Sequence, residues 1–393
     1  MRAIIIVIDS FGIGALPDAI KYGDSNSNTA LHICETIKGD KWTILKKLGL
    51  GNASLLLGNK LPGCEAVKNP LANFGVMSEK SPGKDTTTGH WELAGLELKS
   101  AFTTFPPEFP SFPEKLLEDF TRETGKEIIG NKAASGTAII EELGKQHLET
   151  GKLIVYTSGD SVFQVAAHET IVPLNELYDI CEKARILCNE YSVGRVIARP
   201  FIGEPGNFTR TKGRHDYSIK YEGETIFDFL QKKGVNTVGV GKIGDIFLEK
   251  GLNDSHNDKG NDACIKKTEM LLSKPSDKDE FIFVNYVDTD MLYGHRRNPQ
   301  GYCDEVEKID KHLGRLIEVL REDELLIVTA DHGCDPTFKG TDHTREYVPL
   351  LSYQKGTEGI DLGIRNQFSD VAASIAKFFR VPDYPRGTSF YKK

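Results

Sequence analysis

ELLIVTADHGCDPTFKGTDHTREYVP, residues 324–349, sets an apolar run against two Asp-His pairs, Asp331-His332 and Asp342-His343. The run Glu324–Ala330 is β-rich and short, so it reads as a buried strand whose carboxyl end delivers Asp331. Open α/β sheets place their chemistry at that end of their strands. Carboxylate and imidazole together suit borderline divalent ions such as Mn, Zn or Fe, not thiolate-bound metals.

Working outward, the same pattern recurs. Ile4–Asp9 and Phe281–Asp288 are further apolar runs that close on an Asp, and Thr237–Lys242 reads as a fourth strand. Between such runs lie amphipathic helices. Tyr302–Glu322 carries Val306, Ile309, Leu313, Leu316, Ile317 and Leu320 in one stripe, and Ser369 is expected to cap a helix with Val371, Ile375 and Phe378 facing inward. Strands alternating with helices predict an α/β fold with a central, mostly parallel sheet flanked by helices. Leu50–Leu61 has no clear period and is assigned to no element.

A chain of 393 residues exceeds one ordinary core, so two domains are expected. Ala101–Pro113, with Pro106, Pro107, Pro110 and Pro113, reads as a crossing between them. Gly203–Arg214 reads as the second crossing. The expectation is a catalytic core made of residues 1–100 and 216–393, with an inserted smaller α/β cap at 101–215. The net charge of −8 argues against nucleic acid as the partner, and no apolar run is long enough to span a membrane. The opening MRAIIIVIDSFGIG has too short an apolar run for a signal peptide and reads as a core strand. Seven scattered cysteines, never spaced C-x-x-C, resemble reduced cytosolic thiols and predict a cytoplasmic protein.

Asp9, Asp290, His295, Asp331, His332 and His343 are the candidate metal ligands, enough for two ions. Two ions about 3.5–4 Å apart can hold both oxygens of an in-line phosphoryl displacement. Gly294 is expected to supply a sharp turn between Asp290 and His295. Asp288, Asp335 and Asp342 are expected to orient the ligating imidazoles. His32, His147, His256 and His312 are assigned to the surface. The segment SPGKDTTTGHWE, residues 81–92, begins a helix after a short strand, and a hydroxyl there meets backbone N–H groups that favour a phosphorylated state. Spacing does not choose among Thr86, Thr87 and Thr88, and Asp85 alone would read as an N-cap.

The motifs DSFGIG (9–14), GKDTTTGHWE (83–92), GNKAASGT (130–137), IVYTSGDSV (154–162), GRVIARPF (194–201), GEPGNFTRT (203–211), DTDMLYGHRR (288–297) and TADHG with GTDHTREYVP together resemble the phosphopentomutase family. That family belongs to the alkaline phosphatase superfamily, which implies an alkaline-phosphatase-like core. The resemblance implies one ion on Asp9, Asp331 and His332 and another on Asp290, His295 and His343, usually manganese. It implies Thr86 as a phosphorylated nucleophile and a sugar bisphosphate as activator. The implied reaction interconverts ribose 1-phosphate and ribose 5-phosphate, and the 2-deoxyribose pair, in nucleoside and pentose phosphate metabolism. Arg195, Arg199 and Arg210 of the insertion, with Lys242, would bind substrate phosphate. Asp160 is a candidate for the sugar hydroxyls and Lys84 for offsetting phosphate charge. Cys334 stands where many relatives are expected to carry Asn. A metal-dependent phosphatase or phosphodiesterase of the same superfamily would share the ligands and differ in water access. A sugar-phosphate binding protein would have no use for the threonine. Neither the choice between ribose and deoxyribose nor the oligomeric state follows from the sequence.

Overall fold

A computed structural model describes residues 1–159, 161–274 and 278–392, so Asp160 lies outside the described residues. The chain forms two compact units, Met1–Ser100 with Glu222–Lys393, and Ala101–Tyr221.

The first unit is built on an eight-stranded sheet. Its order is Asp254–His256, Asn236–Val240, Glu280–Tyr286, Arg2–Ile8, Glu324–Thr329, Val348–Tyr353, Asn73–Met77 and Asp361–Arg365. The central strands Glu280–Tyr286, Arg2–Ile8 and Glu324–Thr329 are buried along their whole length, as expected for parallel strands covered on both faces. Their register is level, since Arg2 lies opposite both Glu280 and Glu324. Asp9, Asp288 and Asp331 therefore leave the sheet along one edge. The antiparallel strand Val348–Tyr353 begins at that edge, and Asn73–Met77, paired to it from Val348 to Met77, ends there. The segments that carry His343 and Thr86 are delivered to the same place by topology.

Helix Pro299–Val319 buries Val306, Ile309, Leu313 and Leu316. Helix Ser369–Phe378 buries Val371, Ile375 and Phe378, but Ser369 is its first residue and Phe368 takes the capping position. The unassigned stretch after Leu50 opens with a short helix, Leu50–Leu55. Gly49, at φ 106°, joins it to helix Thr43–Leu48 in a left-handed conformation that glycine adopts without strain.

The second unit has a six-stranded sheet, ordered Ile128–Ala133, Leu153–Thr157, Val162–His168, Arg195–Glu204 and Asn207–Arg210, with His215–Ser218 also pairing on Arg195–Glu204. Leu116 and Phe120 of helix Glu114–Thr124, and Leu177, Cys181 and Ala184 of helix Leu174–Asn189, pack with Val155, Phe163 and Val196. A separate cluster joins Ile139 and Ile140 of helix Gly136–Thr150 to Ile154, Tyr156 and Phe201. Gly203–Arg214 is not a crossing. It folds back as a hairpin, with Phe201 opposite Arg210 and Glu204 opposite Asn207. Because His215–Ser218 then adds another strand to the same sheet, the unit continues beyond residue 215 to Tyr221.

Two histidines expected on the surface are buried. His147 hydrogen-bonds through Nδ1 to the Lys152 carbonyl (2.6 Å) and through Nε2 to the His168 N–H (2.9 Å). His312 pairs with Glu269 (3.0 Å) and with the Tyr286 hydroxyl (2.7 Å). With both ring nitrogens satisfied, their burial carries little penalty. His32 and His256 are half-buried. No helix among the described residues is long and apolar enough to cross a membrane.

Candidate metal centre

Asp9 follows the first strand directly. Ser10, held at φ 65°, then turns the chain so that its N–H donates to Asp331 Oδ1 (3.0 Å). Asn285, on the neighbouring strand, donates to Asp9 Oδ2 (2.9 Å). The other oxygen, Asp9 Oδ1, is buried and has no hydrogen-bond partner among the described residues. It faces His332 Nε2 at 3.6 Å, and Asp331 Oδ2 lies 3.4 Å from the same nitrogen. Ligand atoms each about 2.1 Å from one ion lie about 3–3.5 Å from one another, so this spacing fits a cation between them.

Asp290 supplies the second set. Its Oδ2 lies 3.2 Å from His295 Nε2 and its Oδ1 lies 3.4 Å from His343 Nε2. The two sets adjoin, with the His332 and His343 rings 4.0 Å apart between centroids. The ligand atoms of Asp9, Asp331 and His332 lie within 4.8 Å of one another, as do those of Asp290, His332 and His343.

Two of the three imidazoles are oriented by backbone carbonyls. His332 Nδ1 donates to the Gly333 carbonyl (3.1 Å) and His295 Nδ1 to the Thr341 carbonyl (2.6 Å), which leaves each Nε2 its lone pair. Asp288 instead accepts the Asn261 N–H (2.7 Å), and Asp335 pairs with His32. Asp342 accepts the His343 N–H (2.9 Å) and lies 3.5 Å from Lys84. Gly294 is not in the left-handed region. A Cβ there would come within 2.8 Å of Cys334 Sγ, so the glycine permits close approach between the two loops. Burial drives the Cys334 thiol pKa far up.

The electrostatics show how much negative charge the site concentrates. Burial pushes the Asp9 carboxyl well above its usual range, and Asp331 and Asp290 add to the rise. Against its own burial, His343 and His295 hold Asp290 well below that range. Against burial too, His332 and His90 hold Asp331 down at about 2. Three buried carboxylates this close are stable only with cationic partners.

Thr86 is the first residue of helix Thr86–Leu93, and Asp85 is indeed its N-cap, accepting the Thr88 N–H (3.1 Å) and hydroxyl (2.6 Å). That bond turns Thr88 away. Thr86 Oγ1 lies 3.2 Å from His332 Nε2, the nitrogen that also faces Asp9 and Asp331. Lys84 pairs with Asp24 (3.0 Å). Lys242 follows strand Asn236–Val240 on the same sheet edge, and its charge opposes the rise at Asp9.

Three residues outside the sequence reading belong to this site. His90, one helical turn after Thr86, lies 3.0 Å from Asp331 Oδ2. Arg345 and Glu346 are buried beside the ligand loops. The GHWE run and the charged pair after His343-Thr344 were the available signals.

Arg195, Arg199 and Arg210 lie in the second unit. Arg199 donates to Gln164 (3.1 Å), and Arg195 lies 3.7 Å from Asp216. A Cβ on Gly136 would come 3.5 Å from an Arg210 guanidinium nitrogen. Arg214 of the same unit is bound to Asp216 through two contacts of 2.7 Å.

The family profile described as Metalloenzyme superfamily matches residues 1–383. A phosphopentomutase of Caldanaerobacter subterraneus subsp. tengcongensis is 50% identical over 400 residues, covering 100% of this chain and 98% of that one. The chain belongs to the phosphopentomutase family. Further phosphopentomutases agree, from Carboxydothermus hydrogenoformans (51% identical, 96% and 95% covered) and Thermotoga maritima (50%, 99% and 98%). A solved phosphoglycerate mutase of Leishmania mexicana aligns at a TM-score of 0.48 and 13% identity, over 98% of this chain and 97% of that one. Within the phosphopentomutase family this chain is an intramolecular phosphotransferase, an isomerase with a divalent metal centre.

Proposed function

We propose that the chain interconverts ribose 1-phosphate and ribose 5-phosphate, and the 2-deoxyribose pair, through a phosphothreonine at Thr86. The observation that carries this reading is the 3.2 Å approach of Thr86 Oγ1 to His332 Nε2 at the start of a helix. Asp9, Asp331 and His332 would hold one ion and Asp290, His295 and His343 the other. Bound there, Mn²⁺ would polarise phosphoryl oxygens and make the threonine hydroxyl a competent nucleophile. The free N–H groups of the helix favour the added phosphate charge. Thr86 Oγ takes a phosphoryl group from a sugar bisphosphate: the Thr86 O–P bond forms and the sugar O–P bond breaks, leaving a sugar hydroxyl. Phosphothreonine returns that group to the hydroxyl at the other end of an incoming monophosphate.

In this reading Arg195, Arg199 and Arg210 are candidates for binding substrate phosphate, and Lys242 is another. Lys84 steadies the threonine loop through Asp24 and Asp342, and Asp160 serves the sugar. Seven free cysteines, all buried, suit a reducing cytoplasm.

Phosphorus NMR of ribose 1-phosphate with the protein, Mn²⁺ and a catalytic amount of sugar bisphosphate tests the proposal. Ribose 5-phosphate is the expected product. Inorganic phosphate as the main product would overturn the mutase in favour of a hydrolase.

A further inference from the structure

Immediately after His343-Thr344 the chain carries two buried charged residues to which the chemistry above gives no part. Arg345 reaches one way. Its Nη1 donates to the carbonyls of Ser81 (2.9 Å) and Gly83 (2.6 Å) and pairs with the Glu79 carboxylate, while Nη2 donates to the Glu79 carbonyl (2.9 Å). Nε completes the set on Asp18 (3.2 Å). Every acceptor but Asp18 belongs to the segment that leads into Thr86.

Glu346 reaches the other way, as successive residues of an extended chain do. Its Oε1 accepts the hydroxyls of Thr29 (2.9 Å) and Thr344 (2.6 Å), and its Oε2 accepts the N–H groups of Thr29 (2.9 Å) and Gly14 (3.3 Å). A Cβ on Gly12 would come within 2.3 Å of this carboxylate, and one on Gly333 within 2.5 Å. The carboxylate is thus wedged between the loop that follows Asp9 and the turn that follows His332. Thr344 and Gly333 also exchange both backbone hydrogen bonds (2.7 and 3.0 Å).

We infer that Arg345 and Glu346 are positioning residues with separate objects. Arg345 fixes the segment that presents Thr86, and Glu346 fixes the spacing of the loops that carry Asp9, His332 and His343. The inference rests on the proposed reading of the site. Neither side chain needs to touch substrate or metal. Each holds several backbone groups at once, so a small loss of geometry is transmitted to a reacting atom or a ligand.

The separation of objects makes the test. Glu346→Gln keeps one acceptor but brings an amide NH₂ against donors, and is expected to weaken Mn²⁺ binding about tenfold or more. Free Mn²⁺ measured by electron paramagnetic resonance on chelator-stripped protein reads this without activity. Arg345→Lys is expected to bind two Mn²⁺ as wild type does. It should form phosphothreonine from a sugar bisphosphate about a hundredfold more slowly, with kcat lowered and KM little changed. Intact-protein mass spectrometry reads the phosphoprotein. Should either variant fail to fold, Thr29→Val removes the hydroxyl contact to Glu346, and Glu79→Gln loosens Arg345. Both readouts falling together in each variant, or neither moving, would overturn the inference and leave the pair as ordinary core contacts. A wild-type protein that binds no Mn²⁺ or forms no phosphothreonine would sink the functional reading itself and take the inference with it.

Discussion

His90 Nδ1 lies 3.0 Å from Asp331 Oδ2 while also approaching the Thr86 carbonyl at 2.9 Å. One buried imidazole thereby ties a proposed ligand to the helical turn that presents the nucleophile. His90→Ala is expected to weaken the ion held by Asp331 by about 10- to 100-fold, the usual cost of losing an outer partner of a ligand. Isothermal titration with Mn²⁺ should show one weakened site and one near wild type. Two unaffected sites would remove His90 from the centre.

Thr86→Ala should abolish both phosphoprotein and isomerisation, because the hydroxyl beside His332 Nε2 is lost. Thr88→Ala should instead cost stability, about 0.5–1.5 kcal/mol, since its hydroxyl donates to Asp85. Mass spectrometry and denaturant melts separate the two. Phosphoprotein persisting in Thr86→Ala would move the role to Thr87.

Stripping the metals should lower the melting temperature at neutral pH, because Asp9, Asp290 and Asp331 are all buried. Each ion present at about a hundredfold over its Kd contributes about 2.7 kcal/mol. Thermal melts before and after chelation, then after added Mn²⁺, check this. An unchanged melting temperature would speak against ions at these carboxylates.

The His32–Asp335 pair predicts a pH dependence. The hydrogen bond that His32 donates to Asp335 raises the His32 pKa, and against its burial Asp335 is held below its usual range by His32. A raised histidine contributes stability that is complete below about 6.5 and lost as pH climbs through its folded value. A depressed carboxylate contributes above about 3.9 and loses it as pH falls. The pair therefore stabilises most between those limits, by about 1 kcal/mol or less given that His32 is 28% exposed. Urea melts of wild type and His32→Asn should differ at pH 5.5 and converge by pH 8.5. An equal gap at both would mean the pair is not what the variant removes.

Strand ends were legible because Asp9, Asp288 and Asp331 each interrupt an apolar run, and a carboxylate rarely sits inside a buried strand. The candidate metal residues followed from that recurrence. Glu346 did not, since its donors lie as far away as Gly14 and Thr29, and no local pattern reports such a contact. Burial of His147 and His312 was also hidden, because periodicity gives a helical face but not the acceptors waiting beneath it. Gly203–Arg214 reads as a crossing in the sequence because Gly203, Pro205 and Gly206 are the residues of tight turns and of crossings alike.

The level register of Arg2–Ile8 against both neighbours acts as a ruler for this molecule's history. A residue gained or lost within any of the three strands would displace a proposed ligand by about 3.3 Å and turn it to the opposite face. Loops beyond the strand ends escape that constraint, and one position, between Ser100 and Glu222, holds an entire second sheet. Length variation is thus expected to be absent from the three strands and free elsewhere.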